Sequence, residues 1–211
     1  MSDHRPEATE RPLIAVLDYG IGNLRSAEKA LEHVGADARL TADRGLVAEA
    51  AGVVLPGVGA FGACMAALDA TGLDTIAIGA ARSGRPFLGI CVGLQLLCAE
   101  SEESPDVEGL GIFDVAVARI AGDVKLPQMQ WNQLQVRSPH PLFDGLDPQP
   151  WMYFVHSYAA ADSPMTIATC DYGGPVGAAM SSGSVTAVQF HPEKSSSAGL
   201  RLLANFVDSC R

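Results

Sequence analysis

Residues Pro86-Phe87-Leu88-Gly89-Ile90-Cys91-Val92-Gly93-Leu94-Gln95-Leu96-Leu97-Cys98-Ala99 decide how this chain is read. An apolar segment, 86–88, runs into a cysteine hemmed by glycines, and a helical stretch over 94–99 follows. A cysteine at such a strand-to-helix turn reads as a nucleophile elbow. Tight turns of this kind demand backbone shapes that glycine adopts most cheaply. The start of the helix offers free N–H groups and the positive end of the helix dipole to the sulfur, which favours the reactive thiolate. The competing reading is a buried structural cysteine, since free Cys is among the most buried residue types.

Outward from that turn, the first half alternates strand-like and helix-like segments. An apolar run over 13–17 ends in Asp18 and a glycine-bearing loop. A helix is expected over 23–34, stopped by Gly35, and a second strand over 36–41. Further strands are expected over 53–55 and 87–90, separated by helical stretches over 61–68 and 73–82. Such alternation means a parallel sheet covered by helices. The second half is richer in β-branched and aromatic runs, with strand candidates over 115–120, 134–136, 152–155, 166–170, 176–179 and 185–190. A last helix over 198–207 places Leu202, Leu203, Phe206 and Val207 at core spacing. The expected fold class is α/β: a mostly parallel central sheet flanked by helices, with an additional β-rich portion in the second half. Residues 12–211 read as a single domain behind a loose tail over 1–11.

Ligands of parallel sheets bind outside the carboxyl ends of the strands. Asp18, Pro56 and Cys91 each follow such an end. So does Gln189-Phe190-His191-Pro192-Glu193-Lys194-Ser195-Ser196, after the alternating run 185–188. In an extended segment His191 and Glu193, two residues apart, point to the same side. The imidazole would deprotonate a thiol with one nitrogen while the carboxylate holds the other. Taken alone, the pair also fits a solvated turn. The stretch Leu55-Pro56-Gly57-Val58-Gly59-Ala60-Phe61-Gly62 is either a plain strand-to-helix connection or a loop whose amides face a ligand. In the second case it supplies one N–H of an oxyanion hole, and Val92, just after the nucleophile, supplies the other.

Composition narrows the class. The chain has 211 residues, 48% hydrophobic and 18% charged, enough for one domain with a sizeable core. No apolar run approaches a membrane span, and the polar start Met1-Ser2-Asp3-His4-Arg5-Pro6-Glu7 lacks the apolar centre of a signal peptide. A net charge of −10 lacks the basic footprint of nucleic-acid binding. The five cysteines, Cys64, Cys91, Cys98, Cys170 and Cys210, form no C-x-x-C pair, and with no secretion signal they point to a reduced cytoplasm. The five histidines do not cluster with the cysteines, so no metal is expected. Gly20-Ile21-Gly22 lacks the third glycine of a dinucleotide loop, no Gly-Lys-Ser/Thr phosphate loop occurs, and no cofactor is expected.

Six blocks carry a resemblance to a known family. They are Asp18-Tyr19-Gly20-Ile21-Gly22-Asn23-Leu24, Pro56-Gly57-Val58-Gly59, Gly89-Ile90-Cys91-Val92-Gly93-Leu94-Gln95, Gln128-Met129-Gln130-Trp131-Asn132, Tyr153-Phe154-Val155-His156-Ser157-Tyr158, and Gln189-Phe190-His191-Pro192-Glu193-Lys194-Ser195-Ser196. In content and order the chain resembles the class I glutamine amidotransferases. The Trp-Asn, Phe-Val-His-Ser-Tyr and Glu-Lys-Ser-Ser blocks are similar to those of the glutaminase subunits of imidazole glycerol phosphate synthase. The resemblance implies a flavodoxin-like fold and glutamine hydrolysis. Cys91 is then the nucleophile, His191 the base and Glu193 its orienter, with Val58 and Val92 at the oxyanion hole. By family position Gly57, Gly59, Gln95, Glu103, Ser157 and Tyr158 hold glutamine. Asn23, Trp131, Tyr153 and Lys194 fall at the interface with a TIM-barrel cyclase subunit, or couple the two sites.

The match is not complete. The family usually has Pro-His-Met-Gly-Trp-Asn where this chain has Pro127-Gln128-Met129-Gln130-Trp131-Asn132. Gln130 restricts a backbone that glycine would leave free. Two other readings stay open: a glutaminase subunit serving a different synthase, and a non-catalytic binding module of the same fold. The first usually lacks Trp131-Asn132 and Lys194-Ser195-Ser196. The second is expected to lack Cys91 or His191, and both are present.

Overall fold

A computed structural model describes residues 11–211. The tail expected over 1–11 lies, apart from Arg11, outside the described residues. The first half builds β1 (Leu13–Leu17), α1 (Leu24–His33), β2 (Asp37–Thr41), α2 (Arg44–Glu49), β3 (Gly52–Gly57), α3 (Phe61–Thr71), α4 (Leu73–Ala81), β4 (Phe87–Cys91) and α5 (Val92–Leu97). The second half adds β5 (Cys98–Ser101), β6 (Phe113–Arg119), β7 (Gln128–Gln133), β8 (Gln135–Val136), β9 (Trp151–His156), β10 (Tyr158–Ala160), β11 (Thr166–Asp171), β12 (Pro175–Ser182), β13 (Val185–Val188) and α6 (Ser196–Ser209).

Eight strands form the central sheet in the order β2-β1-β3-β4-β13-β12-β11-β8. Pairing is parallel from β2 through β13 and antiparallel from β13 to β8. This is the α/β class expected. The innermost strands β3, β4 and β13 are buried at every residue, as parallel strands covered on both faces must be. That is why Val53-Val54-Leu55 and Phe87-Leu88 are unbroken apolar runs. Helix α1 buries Leu24, Ala27, Ala30 and Leu31, one stripe at helical spacing, and α6 buries Gly199, Leu202, Leu203, Phe206 and Val207 in the same way. The β-rich half supplies two further small sheets, β10-β6-β5 and the antiparallel pair β7-β9.

Several boundaries depart from the sequence expectation. The helix expected over 94–99 starts at Val92 and stops at Leu97, and Cys98 turns into β5. Its end has a tertiary cause. The Leu96 and Leu97 carbonyls accept from the N–H groups of Leu110 and Ile112, at 2.8 and 2.9 Å, so partners from a distant loop replace a further helical turn. The strand expected over 134–136 is only Gln135–Val136, at the sheet edge, while the preceding residues Gln128–Gln133 form β7. The strand expected over 185–190 ends at Val188.

Candidate active site

The order of the central strands assembles the site. β3 and β13 flank β4 in parallel register, Gly57 opposite Cys91 and Val188 opposite Ile90. Three chain segments therefore emerge side by side at the carboxyl edge: the Gly57-Val58 loop, the Cys91 turn, and the descent from Val188 to His191. Cys91 has φ 56° and ψ −112°, one of two non-glycine residues with positive φ among the described residues. The elbow is tight because α5 packs backbone to backbone against β3. A Cβ on Gly93 would lie 1.9 Å from the Leu55 carbonyl oxygen, so only glycine fits.

A cavity of about 280 Å³ opens at this edge. Its walls bring together Cys91 and His191, then Val58 and Val92, then Gly59, Gln95, Glu103, Ser157 and Tyr158. Two of the expected residues stand one layer behind. Glu193 is packed under His191, its Oε1 2.8 Å from His191 Nδ1. Gly57 is off the cavity wall, covered by the Tyr19 hydroxyl, Val92 and Gly93. The His191–Glu193 contact does not arise from an extended segment, as expected, but across a single 3₁₀ turn over Pro192–Lys194. Proline at the first position of that turn needs no N–H partner, and the turn brings the carboxylate back under the ring.

Burial lowers the His191 pKa, but hydrogen bonding and charge from Cys91 and Glu193 outweigh it, and the net value is raised to about 9. The imidazole is thus held between a thiol and a carboxylate, and its buried Nε2 has no polar neighbour to bond other than the Cys91 thiol. His156, on the same wall, is the opposite case. Burial, with the nearby His191 adding to it, pulls its pKa down to about 4. Its Nδ1 lies 2.9 Å from the Tyr158 carbonyl and so carries the proton. The buried, unpartnered Nε2 is then an acceptor on the cavity wall.

A hydrogen-bonded line runs behind Cys91. Gln95 donates to the Tyr158 carbonyl at 2.9 Å and to Gln189 Oε1 at 3.1 Å, and Gln189 donates to Cys91 Sγ at 3.8 Å. Both Gln95 N–H bonds are internal, so its Oε1 is the atom it can offer the cavity. Glu103 accepts from the Phe61 N–H at 2.7 Å, fixing the loop after Gly59, and also faces the cavity. Sequence reasoning assigned no role to Gln189 or His156. Each is a fully or nearly buried polar residue at the end of an apolar strand, which was the available signal.

The four residues expected at an interface divide. Trp131 and Tyr153 face each other across β7 and β9 with ring centroids 6.0 Å apart, edge to face. Met129, Trp131 and Trp151 are exposed by 61%, 44% and 53%. Tyr153 lies on the same face of this pair, so the two strands present an apolar surface beside the cavity. Lys194 is exposed next to Glu193. Asn23 caps the start of α1 and borders a small void shared with His191 and Glu193. Among the described residues no group of three His, Cys, Asp or Glu side chains is placed to share a metal ion, and no single helix is long and apolar enough to cross a membrane.

A cysteine at a strained elbow, a histidine between thiol and carboxylate, and the cavity that both line point to one class. The chain belongs to the class-I glutamine amidotransferase family, whose model matches residues 15–210. Its relatives narrow this further. It is 49% identical over 205 residues to imidazole glycerol phosphate synthase subunit HisH of Syntrophotalea carbinolica, covering 93% of this chain and all of that one. The HisH subunit of Methanothermobacter thermautotrophicus is 48% identical over 200 residues, 94% of this chain and all of the relative. That of Synechococcus elongatus is 50% identical over 202 residues, 93% of each chain. Two solved structures share the fold: a glutamine amidotransferase at TM-score 0.74 and 20% identity, over 93% of this chain and 98% of that one, and PurLQS from Thermotoga maritima at 0.75 and 19%, over 96% and 100%.

Proposed function

We propose that this chain is the glutaminase subunit of imidazole glycerol phosphate synthase, acting in histidine biosynthesis in the cytoplasm. Near-half identity to HisH subunits over almost the whole length supports the family role. The observation that carries the chemistry is Cys91 at positive φ in a cavity shared with a Glu193-held His191. Cys91 Sγ attacks the side-chain amide carbon of glutamine, and the C=O electrons move to oxygen. The Val58 and Val92 N–H groups are assigned to that oxyanion, an interaction worth about 3–4 kcal/mol per donor in hydrolases. His191 receives the thiol proton and gives it to the departing nitrogen as the tetrahedral adduct collapses to a thioester and ammonia leaves. Water, deprotonated by His191, then releases glutamate and restores the thiol. Glu193 holds the imidazole throughout. Gly59, Gln95, Glu103, Ser157 and Tyr158 position glutamine.

Nothing else in the cavity would consume ammonia. The apolar face of Met129, Trp131, Trp151 and Tyr153 supports a partner docked beside it, a TIM-barrel cyclase subunit that receives the ammonia in a heterodimer. The cyclase would form imidazole glycerol phosphate and an aminoimidazole carboxamide ribonucleotide. The test is Cys91→Ala in the complex. Glutamine-dependent synthesis is expected to vanish while synthesis from ammonium salts persists. Retained glutamine hydrolysis would exclude Cys91 as nucleophile. Equal loss of both activities would show damaged assembly. A glutaminase serving a different synthase is distinguished by failure of the cyclase to stimulate ammonia release.

A further inference from the structure

Cys91 has a second polar neighbour, which the reaction as written above leaves idle. Gln189 follows the last residue of β13, and its N–H donates to the Ala178 carbonyl of β12 at 2.9 Å, so it continues the line of the strand. The parallel register sets Val188 beside Ile90, so Gln189 comes level with Cys91 one step further on. Its side chain is fully buried, an uncommon place for a primary amide, and its Nε2 lies 3.8 Å from Cys91 Sγ. Gln95, one helical turn beyond Cys91 on α5, donates to Gln189 Oε1 at 3.1 Å and to the Tyr158 carbonyl at 2.9 Å. That carbonyl fixes the direction of the line. An amide side chain can present either oxygen or nitrogen to a neighbour, but a backbone carbonyl only accepts. Gln95 must therefore turn its NH2 toward Tyr158. The second hydrogen of that group goes to Gln189 Oε1, and Gln189 is left with its own NH2 on the sulfur.

We propose that Gln189 is a catalytic residue of the glutaminase site: its side-chain N–H holds the Cys91 sulfur and favours the thiolate, and Gln95 is the positioning residue that keeps that N–H, rather than the amide oxygen, turned to the sulfur. The inference rests on the glutaminase reading of the cavity. Its chemistry follows from charge. An amide N–H is drawn to a thiolate more strongly than to a thiol or to the neutral sulfur of a thioester. Gln189 therefore acts at both moments when Cys91 Sγ carries charge. The first is before attack on the amide carbon, once the thiol proton has passed to His191. The second is when the water-derived adduct of the thioester collapses and the C–S bond breaks with its electron pair on sulfur, which His191 then reprotonates. Gln189 keeps its own protons throughout. Being neutral, it adds no charge to compete with His191 for the sulfur or with Glu193 for His191. Gln95 and Cys91 are nearly as buried as Gln189, so the bond is made where few waters compete for the sulfur, and it counts for more than the same bond at a surface.

The experiment follows alkylation of Cys91 by iodoacetamide, read on the Cys91 peptide by mass, from about pH 5 to about pH 10 in the full chain as wild type, Gln189→Met and Gln95→Leu. The other four cysteines compete little, because they are buried and burial pushes each thiol up. The titratable groups around Cys91, namely His191, Tyr19, Cys64, His156 and Glu103, are the same in every variant, so a displaced curve reports the amide. A hydrogen bond to a charged acceptor shifts an equilibrium by about tenfold. Alkylation at neutral pH is expected to fall about tenfold in Gln189→Met, which has no donor, and about threefold in Gln95→Leu, where the Gln189 amide is free to turn. At the alkaline end, where every sulfur is thiolate, both variants should match wild type. A sulfur merely misplaced or shielded would lose rate by one factor at every pH. That outcome overturns the proposal, as does a curve identical to wild type. Gln95→Leu decides the matter if Gln189→Met fails to fold. In the complex with the cyclase, kcat for glutamine should fall about tenfold in Gln189→Met with KM unchanged and synthesis from ammonium salts intact. An unchanged kcat overturns the proposal. A wild-type complex that hydrolyses no glutamine overturns the glutaminase reading instead, and the alkylation curves still decide whether Gln189 holds Cys91.

Discussion

Cys91 holds its place at the turn with backbone strain, since φ 56° with ψ −112° is a region that side chains with a Cβ avoid. Its mirror image, near −56° and +112°, is ordinary extended backbone, so glycine would sit there freely. Cys91→Gly is therefore expected to be more stable than Cys91→Ala by about 1 kcal/mol, although glycine loses more entropy on folding. Denaturant titration of the two inactive variants checks this, and an alanine variant as stable as the glycine one would show that the turn carries no strain. Two histidines of the site set a second expectation, for stability against pH. His156 is depressed to about 4 from 6.5, so the unfolded chain takes up a proton that the fold refuses, and stability falls as pH drops below about 6.5 toward 4. His191 is raised to about 9, so the fold keeps a proton the unfolded chain has lost, and stability falls as pH climbs from about 6.5 through 9. Each limb is worth on the order of 3 kcal/mol at most. The melting temperature should thus peak near pH 6.5. His156→Asn should flatten the acid limb and Cys91→Ser the alkaline one. A limb untouched by its own variant would remove that histidine from the explanation.

At the scale of elements, legibility follows how local the cause is. The unbroken apolar runs of β3 and β4 and the stripes of α1 and α6 carry their environment in their own spacing, and the structure has them close to the expected bounds. The Gly-Ile-Cys-Val-Gly turn was legible because only glycine tolerates the Leu55 approach. Elements fixed by distant partners were not. β5 exists because a loop at 109–112 takes the carbonyls that would have extended α5. The strand Gln128–Gln133 pairs with Trp151–His156 far along the chain, and its short alternation of Met129 and Trp131 with polar residues points outward rather than into the core. The expected site residues on the cavity wall were reachable from motif position, but Gln189 meets Cys91 through a contact that no spacing reveals. One such contact ties the outer strand pair to the turn that carries His191. The buried Ser195 hydroxyl donates to the His191 carbonyl at 2.6 Å and accepts from the Tyr153 N–H at 3.0 Å, while the His191 N–H donates to the Tyr153 carbonyl at 2.9 Å. Ser195→Ala leaves the Tyr153 N–H without a partner and the His191 carbonyl with only the Lys194 N–H, at 3.0 Å, a cost of about 1–2 kcal/mol. It should also lower kcat more than it changes KM, because His191 loses its fixed seat. Stability within about 0.5 kcal/mol of wild type, with kcat intact, would show that Ser195 is filler.

At the scale of the whole molecule, the site is connected to a surface that the chain alone does not cover. Trp151 and Met129 are more than half exposed, and Trp131 nearly so, which is unusual for large apolar side chains grouped on one sheet face. Tyr153 joins that face to the His191 backbone through one hydrogen bond. A partner seated there would press on a strand whose backbone holds His191, so that surface and the cavity share a structural element. Met129→Ser with Trp151→Ser should weaken cyclase binding at least tenfold, since central aromatic anchors carry most of an interface's energy, while leaving the low activity of the isolated chain as it was. The same connection predicts how activation appears kinetically. If the partner completes a hole for the oxyanion, it stabilises a species present only on the reaction path, and kcat rises at saturating glutamine. If the partner merely shapes the glutamine pocket, the ground state gains as much as the transition state and KM falls with kcat unchanged. The residues assigned to glutamine already line a formed wall without a partner, so docking has little to add to ground-state binding. Activation should therefore fall on kcat, by up to the roughly 10²–10³-fold that one oxyanion donor is worth. Steady-state glutaminase assays with and without cyclase decide it. An isolated chain as fast as the complex at saturating glutamine, or activation confined to KM, would exclude a hole completed by docking.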